Sequence, residues 1–314
     1  MSTQLSEFQE CLRSSKRIVA LVGAGLSASS GLATFRGSQG LWKNFNMIDL
    51  ATPDAFYIDP GLVWQFYSWR RYEALKAQPN AGHLALARLS RLRSKKFITI
   101  TQNVDGLSAR GGHDPKTLYE IHGSLFELRC TSFTCTHVER GNTDVPLTPA
   151  LTIDVDTEVG PSVTTATTSS ASVSSNSTAT TTATSSSPFF SPTKELNVDD
   201  LPKCPVCQSL MRPGVVWFGE SLPLRVLDRI DTFLEAGPVD LILVIGTSGT
   251  VYPANSYVDI VRQRGGSVAI FNTDIDQDVL EGKVAKTWGF KGDAAELLLI
   301  ALSPLFEDSE EANS

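Results

Sequence analysis

The sequence predicts a doubly wound α/β domain with a parallel sheet, carrying a smaller cysteine-bearing module. Three observations lead there. β-branched apolar runs alternate along the chain with segments of helical periodicity. Those runs end in glycine or polar residues, as strands do at the ligand edge of an open parallel sheet. The first run also passes directly into Gly23-Ala24-Gly25, a strand-to-turn signal for a phosphate site.

Residues 3–16 read as a short amphipathic helix, and Ile18-Val19-Ala20-Leu21-Val22 follows as a buried strand. A strand that ends in Gly-x-Gly and opens a helix leaves backbone N–H groups at a positive dipole end, where a pyrophosphate settles. The stretch Gly23 to Gly31 therefore predicts a dinucleotide site. Its third glycine, Gly31, comes later than in the usual fingerprint, which keeps a plain tight turn open as a reading. Thr34-Phe35-Arg36-Gly37 then sets a ring and a guanidinium on a loop able to fold over a dinucleotide, or forms an ordinary surface loop.

Leu41-Trp42 and Asp49-Leu50-Ala51-Thr52-Pro53 read as a turn-rich connection. Residues 60–77 turn helical, with Val63, Phe66, Tyr67, Arg70 and Ala74 at three- and four-residue steps, so Tyr67 and Arg70 share a face. A second helix begins near Pro79-Asn80 and carries Leu84, Ala87, Leu89 and Leu92. Phe97 to Thr101 is the second buried strand, with Gln102-Asn103-Val104-Asp105 at its C-terminal edge. Later come a helix with Val226, Ile230 and Phe233, a strand Leu241 to Ile245 ending in Gly246-Thr247-Ser248, and a helix after Pro253. A last strand, Ser267 to Phe271, ends in Asn272-Thr273-Asp274, before a helix from Asp293 to Leu302.

Of five cysteines, Cys11 stands alone and four form two pairs. Cys130-Thr-Ser-Phe-Thr-Cys135 and Cys204-Pro-Val-Cys207 offer four thiolates in two knuckles, the donor set of a closed, tetrahedral structural Zn²⁺ site. His137 competes with Cys135 as the fourth ligand, and a redox pair at Cys204 and Cys207 is the rival chemistry. Between Pro161 and Ser187, 19 of 27 residues are Ser or Thr, too little apolar matter to offset ordering entropy. The expected organisation is one domain over 1–314, a zinc-binding module at 126–212 inserted in it, and a disordered insert at 143–196 within the module.

Lys and Arg number 27 against 34 Asp and Glu, a net charge of −7, which argues against broad nucleic-acid binding and leaves protein substrates open. No apolar run reaches the roughly 20 residues of a membrane span. Glu7 and Glu10 make the N-terminus poor material for a signal or transit peptide, so cytosol and nucleus come first as compartments.

Taken together, Gly23-Ala-Gly-Leu-Ser-Ala-Ser-Ser-Gly, Thr34-Phe-Arg-Gly, Gln102-Asn-Val-Asp, His122-Gly-Ser, the cysteine pairs, Val216-Trp-Phe-Gly-Glu, Gly246-Thr-Ser and Asn272-Thr-Asp resemble the sirtuins. These are NAD-dependent protein-lysine deacylases with a Rossmann-like domain. The resemblance covers nearly the whole chain outside the Ser/Thr tract. It implies that Gly23, Ala24, Gly25, Ser27, Ala28, Gly31, Thr34, Phe35 and Arg36, with Trp42, hold the pyrophosphate and nicotinamide ribose. It places Gln102, Asn103, Val104 and Asp105 on the nicotinamide side, and Gly246, Thr247, Ser248, Asn272, Thr273, Asp274 and Ala294 along the adenosine half.

By the same resemblance His122 is the general base. The acyl-lysine carbonyl oxygen attacks the ribose anomeric carbon and nicotinamide departs. The imidazole then deprotonates a ribose hydroxyl, and the products are free lysine and O-acyl-ADP-ribose. Val216, Trp217, Phe218, Gly219 and Glu220 resemble the segment that pairs with an extended substrate peptide. His83 and His113 read as structural.

Phe66-Tyr67-Ser68-Trp69-Arg70 resembles the class III branch of that family. There a Tyr and an Arg three residues apart bind the free carboxylate of malonyl-, succinyl- or glutaryl-lysine, and a small residue at the position of Ala51 widens the pocket. The plainer reading is an amphipathic helix edge. Four rivals remain at this point: a deacetylase, a mono-ADP-ribosyltransferase using the same site, a non-catalytic NAD-sensing scaffold and, fourth, a classical dehydrogenase. Class III relatives also make mitochondria a candidate compartment, and a monomer is expected.

Overall fold

The computed structural model describes residues 2–34, 40–93, 96–153, 193–247, 249 and 252–311. Helix α1 (Ser2–Ser14) buries Phe8 and Leu12 and leads into β1 (Ile18–Val22), every residue of which is buried. The helix that the Gly-x-Gly turn opens is a single turn, α2 (Gly25–Ala28). Its leading amides are already engaged: Gly25 N–H donates to the Gly246 carbonyl at 2.8 Å, and Leu26 N–H to Gly23 at 3.2 Å.

The stretch read as turns is more regular than expected. Strands β2 (Leu41–Trp42) and β3 (Phe45–Asn46) form a small antiparallel pair, followed by α3 (Met47–Leu50) and α4 (Pro53–Ile58). Side-chain caps start both helices, since Asn46 accepts from Ile48 N–H and Thr52 from Ala55 N–H, with Pro53 at the first position of α4. Asp59 caps α5 (Pro60–Lys76), and Asn80 caps α6 (Ala81–Leu92) in a capping box closed by His83. Leu84 and Leu92 lie exposed at 52% and 44%, because the buried stripe of α6 runs through Ala85, Leu86 and Leu89.

Strand β4 (Phe97–Thr101) precedes α7 (Leu107–Arg110) and β5 (Leu118–Glu120). The cysteine module is a three-stranded antiparallel sheet of β6 (Gly123–Cys130), β7 (Val138–Arg140) and β8 (Met211–Val215) in the order β7-β6-β8. The rest follows as α8 (Leu224–Glu235), β9 (Leu241–Ile245), α9 (Ser256–Gln263), β10 (Ser267–Asn272), α10 (Gln277–Leu280), β11 (Thr287–Lys291) and α11 (Ala294–Glu311). Strand β11 extends the sheet beyond the strand that the sequence makes the last, and α11 runs past Leu302 with Pro304 inside it.

The main sheet has the order β11-β10-β9-β1-β4-β5 with every pairing parallel. Alternation along β1 sends Ile18, Ala20 and Val22 to one core and Val19 and Leu21 to another, so helices cover both faces. From β1 the chain steps outward to β4 and β5, then returns to lay β9, β10 and β11 on the other side. The reversal opens a crevice between the C-terminal ends of β1 and β9, the place where an open α/β sheet takes ligands.

A third core joins α5 to the small sheet through Trp64, Phe66, Tyr67, Leu125, Leu128, Met211 and Trp217. Leu151 is buried in this core, and Leu147 and Leu196 pack against it. Leu147, Leu151 and Leu196 therefore anchor the flanks of the stretch that composition places in a disordered insert, while most of their neighbours stay exposed. Residues 154–192, which carry the Ser/Thr tract, lie outside the described residues. Among those described, no helix is long and apolar enough to cross a membrane.

Candidate active site

The crevice is built by two glycine turns pressed together. Gly23 N–H donates to Ile245 at 2.9 Å, and a Cβ on Gly23 would sit 2.7 Å from the Gly246 oxygen. One on Gly25 would meet the Gly246 Cα at 2.7 Å, so only glycine permits this approach. Gly246 itself takes a φ of +57°. Asn272 Nδ2 donates to the Thr247 carbonyl at 3.1 Å, which draws the end of β10 into the same rim. Ser29 Oγ donates to Asp293 at 2.6 Å, and Asp293 in turn accepts from Ala295 N–H, so Ala294 at the start of α11 is tied to the glycine loop. Thr273 and Asp274 lie exposed beside it. Phe35, Arg36 and Ser248 lie outside the described residues. Trp42 stands apart, buried among aromatic rings, 5.5 Å from Phe66 and 6.4 Å from Trp69.

Below the loop, Ser27 is the node of a buried hydrogen-bond network. Its Oγ donates to Asp105 Oδ2 at 2.7 Å and accepts from Asn103 Nδ2 at 3.1 Å. Asn103 also donates to the Gly23 carbonyl at 3.1 Å, and Gln102 Nε2 to Thr247 Oγ1 at 3.3 Å. His83, read as purely structural from sequence, reaches this node: its Nε2 lies 3.4 Å from Ser27 Oγ. Asn80 N–H donates to its Nδ1, which leaves the proton of the neutral ring on Nε2, facing Ser27. Burial pulls the His83 pKa down to about 4, outweighing the opposing pull of Asp105, and keeps that ring neutral. The only sequence hint was a histidine three residues after an Asn cap. His113 is held away from the crevice by Thr99 and Asp114.

His122 sits between β5 and β6, where the main sheet hands over to the small one. Its Nδ1 lies 3.0 Å from the Gln102 carbonyl, which can only accept, so Nδ1 carries the proton and Nε2 keeps its lone pair. Burial lowers its pKa and the Gln102 hydrogen bond raises it, with burial the stronger. An imidazole so held is neutral near pH 7 and basic at Nε2.

The segment after β8 is bound to both His122 and α5. Val216 N–H donates to the His122 carbonyl at 2.8 Å, and Phe218 N–H to the Ala51 carbonyl at 3.0 Å. Trp217 Nε1 donates to Tyr67 Oη at 2.9 Å. Ala51, Tyr67 and the 216–220 segment thus form one continuous wall, with Arg70 one helical turn beyond Tyr67. Burial pushes the Tyr67 phenol up to about 12, with Arg70 and the Trp217 hydrogen bond offsetting part of the rise. Burial lowers the Arg70 pKa, and Tyr67 and then Asp105 raise it. The pair is a neutral donor beside a cation.

The four cysteines converge, their sulfur atoms lying within 4.8 Å of one another. Cys130 and Cys207 are 3.4 Å apart, and Cys135 and Cys204 are 3.8 Å apart. A tetrahedron with Zn–S bonds near 2.3 Å has edges of about 3.8 Å, so the set fits structural zinc. Backbone bonds shape each knuckle: Gln208 N–H donates to the Cys204 carbonyl at 2.9 Å, and Ser132 N–H approaches Cys130 Sγ at 3.4 Å. Cys135 is in the cluster and His137 is not.

Comparison with known proteins agrees with this arrangement. Residues 23–253 match the Sir2 family. The chain is 64% identical over 310 residues to an NAD-dependent protein deacylase of Candida albicans, covering 98% of this chain and all of the relative. It is 40% identical over 278 residues to the NAD-dependent protein deacylase sirtuin-5, mitochondrial, of Canis lupus familiaris, covering 87% of this chain and 78% of the relative. A crystal structure of a Sir2 homologue in complex with NAD superimposes with a TM-score of 0.70 at 34% identity, over 96% of this chain and 94% of that one.

Proposed function

The chain belongs to the Sir2 family and is an NAD-dependent protein-lysine deacylase, and we propose that the acyl groups it removes are the acidic ones: succinyl, malonyl and glutaryl. The observation that carries this reading is the wall formed by Ala51, Tyr67 and Trp217 with Arg70 beside it. A carboxylate entering there meets a guanidinium and a phenol, and charge-assisted bonds offset its desolvation. An acetyl group presents no charge to either.

In this reading the peptide lies along residues 216–220 by strand addition, with backbone bonds that read little side-chain sequence. NAD occupies the crevice between β1 and β9 as a consumed co-substrate, its nicotinamide ribose toward Ser27, Asn103 and Asp105. His122 Nε2 accepts the proton of the ribose hydroxyl once the acyl oxygen has displaced nicotinamide. Cys130, Cys135, Cys204 and Cys207 would hold a structural zinc at the end of the small sheet where Cys130 of β6 pairs with Met211 of β8, and four thiolates would leave it no open position for chemistry. The chain acts as a monomer on acyl-lysine proteins, without nucleic acid or membrane. Cytosol or nucleus is its compartment in this reading, with mitochondria the alternative that the relatives' names raise.

Arg70→Met tests the acyl assignment. Charge-assisted hydrogen bonds contribute about 1.5–3 kcal/mol, so kcat/KM on a succinyl peptide should fall by about one to two powers of ten. The value on the matching acetyl peptide should stay nearly constant. Equal losses on both would assign Arg70 to the fold and remove the basis for acidic selectivity.

A further inference from the structure

The sequence places Trp217 in the segment that offers its backbone to a peptide, yet its side chain turns inward and is only 3% exposed. Every part of it is fixed. Its backbone N–H donates to Glu220 Oε2 at 2.8 Å. Glu220 is gripped by Arg212 at 2.5 and 2.8 Å, and the Arg212 guanidinium lies 3.5 Å from the centre of the indole. Burial pushes the Glu220 carboxyl pKa up, but the bonds from Arg212 and Trp217 outweigh it and keep the carboxylate ionised. Phe56 packs against the ring at 5.2 Å. An indole held on its face, its edge and its backbone has one polar atom left, Nε1, and that atom points at Tyr67 Oη.

An indole N–H can only donate, so Tyr67 Oη must accept from it. The phenolic proton is thereby turned away from Trp217. We propose that Trp217 is the positioning residue for acidic-acyl recognition: it occupies the acceptor side of Tyr67 and presents the hydroxyl proton to the acyl carboxylate. The inference rests on the acidic-acyl reading above and adds a residue that touches no substrate carboxylate itself. It also gives Arg212 and Glu220 a purpose at a distance from the pocket, since they lock the indole whose N–H sets the phenol. Without that N–H the hydroxyl is free to rotate, and part of its population offers a lone pair to a carboxylate, which repels it.

Trp217→Phe keeps a ring against Arg212 and Phe56 and removes only the donor. With zinc-loaded protein and saturating NAD, KM for a succinyl peptide should rise roughly three- to ten-fold with kcat nearly unchanged, as expected for one neutral hydrogen bond. Because Trp217 also lies in the peptide-binding segment, the readout is the ratio: succinyl over acetyl kcat/KM should fall by that same factor of roughly three- to ten-fold, whatever change the substitution brings to both peptides alike. In combination with Tyr67→Phe the two changes should cost no more than Tyr67→Phe alone, because both remove the same oriented donor. Additive losses, or equal losses on acetyl and succinyl peptides, would overturn the role and make Trp217 a packing residue.

A wild-type enzyme that ignores succinyl peptides fails the acyl reading and this inference together. One that prefers them while Trp217→Phe matches it fails this inference alone. A crystal structure of the unmutated protein with a succinyl peptide decides the matter even if the variant does not fold. Tyr67 Oη should bridge the carboxylate and Trp217 Nε1, whereas a phenol swung off Trp217 to reach the carboxylate contradicts the proposal.

Discussion

Replacing His122 with alanine should lower the deacylation rate by about two to four powers of ten, the usual contribution of a positioned general base, while the protein still folds and binds NAD. The expectation follows from one hydrogen bond. Because the Gln102 carbonyl accepts from Nδ1, the imidazole is fixed in the tautomer with a free lone pair on Nε2. Burial holds its pKa below the ordinary histidine value of about 6.5, so protonation removes the base only in mildly acidic solution. The rate should therefore rise with pH through a midpoint below about 6.5 and be level near pH 7.

Glu120, two residues earlier, complicates the same window. Burial, with Asp105 and Glu127 nearby, pushes its carboxyl up to about 7. The two are separated by the variant: residual activity of His122→Ala should lack the limb that His122 causes. A folded His122→Ala enzyme with near-normal turnover would remove this histidine from the chemistry.

Cys204→Ser should abolish zinc binding and unfold the small sheet. Cys204 is fully buried, and its sulfur lies 3.8 Å from Cys135 across the cluster. Structural zinc contributes on the order of 10 kcal/mol or more to folding, comparable to the whole net stability of a typical domain. Residues 216–220 follow directly from β8, the strand that closes this module. Melting the module thus releases the peptide wall, and Trp217 with it. Metal analysis should fall from about one zinc per chain to almost none. The thermal transition should drop by many degrees, and activity should be lost on every acyl peptide alike. A zinc-free Cys204→Ser protein with normal stability would show that the four sulfurs meet without holding a metal.

The parts of the molecule legible in the sequence are those where a single residue type has no substitute. Gly23, Gly25 and Gly246 announce two turns in contact, since any Cβ there would strike backbone. Four cysteines in two knuckles announce their own convergence. Strands such as Ile18–Val22 declare themselves because both faces are buried. Strand β11 was hidden: Thr287-Trp-Gly-Phe-Lys has a glycine at its centre, which reads as a break. In the structure Gly289 makes room for α10, a Cβ there lying 2.9 Å from a methyl of Val279. Strands of two residues, such as Leu41–Trp42 and Phe45–Asn46, carry no period to detect.

The site divides in the same way. Gln102, Asn103, Asp105 and His122 stand at strand ends, where topology alone brings them to the crevice. His83 could not be read, because its approach to Ser27 depends on how α6 packs beneath the glycine loop. The sequence places Trp217 by its backbone alone. Only the fold reveals that its side chain faces Tyr67, 150 positions away in sequence. At the edges of the insert, a few apolar residues such as Leu151 outweigh a polar neighbourhood once a core is there to receive them.

The pocket beyond the lysine decides which acyl groups the enzyme removes. The direct measurement gives the unmutated, zinc-loaded protein NAD with otherwise identical acetyl-, malonyl-, succinyl- and glutaryl-lysine peptides, following nicotinamide and free lysine together. The arrangement of Tyr67, Arg70 and Trp217 predicts that lysine and nicotinamide appear in equal amounts, with kcat/KM for the acidic peptides at least about ten-fold above acetyl. Acetyl turned over as well as or better than all three acidic groups would contradict it.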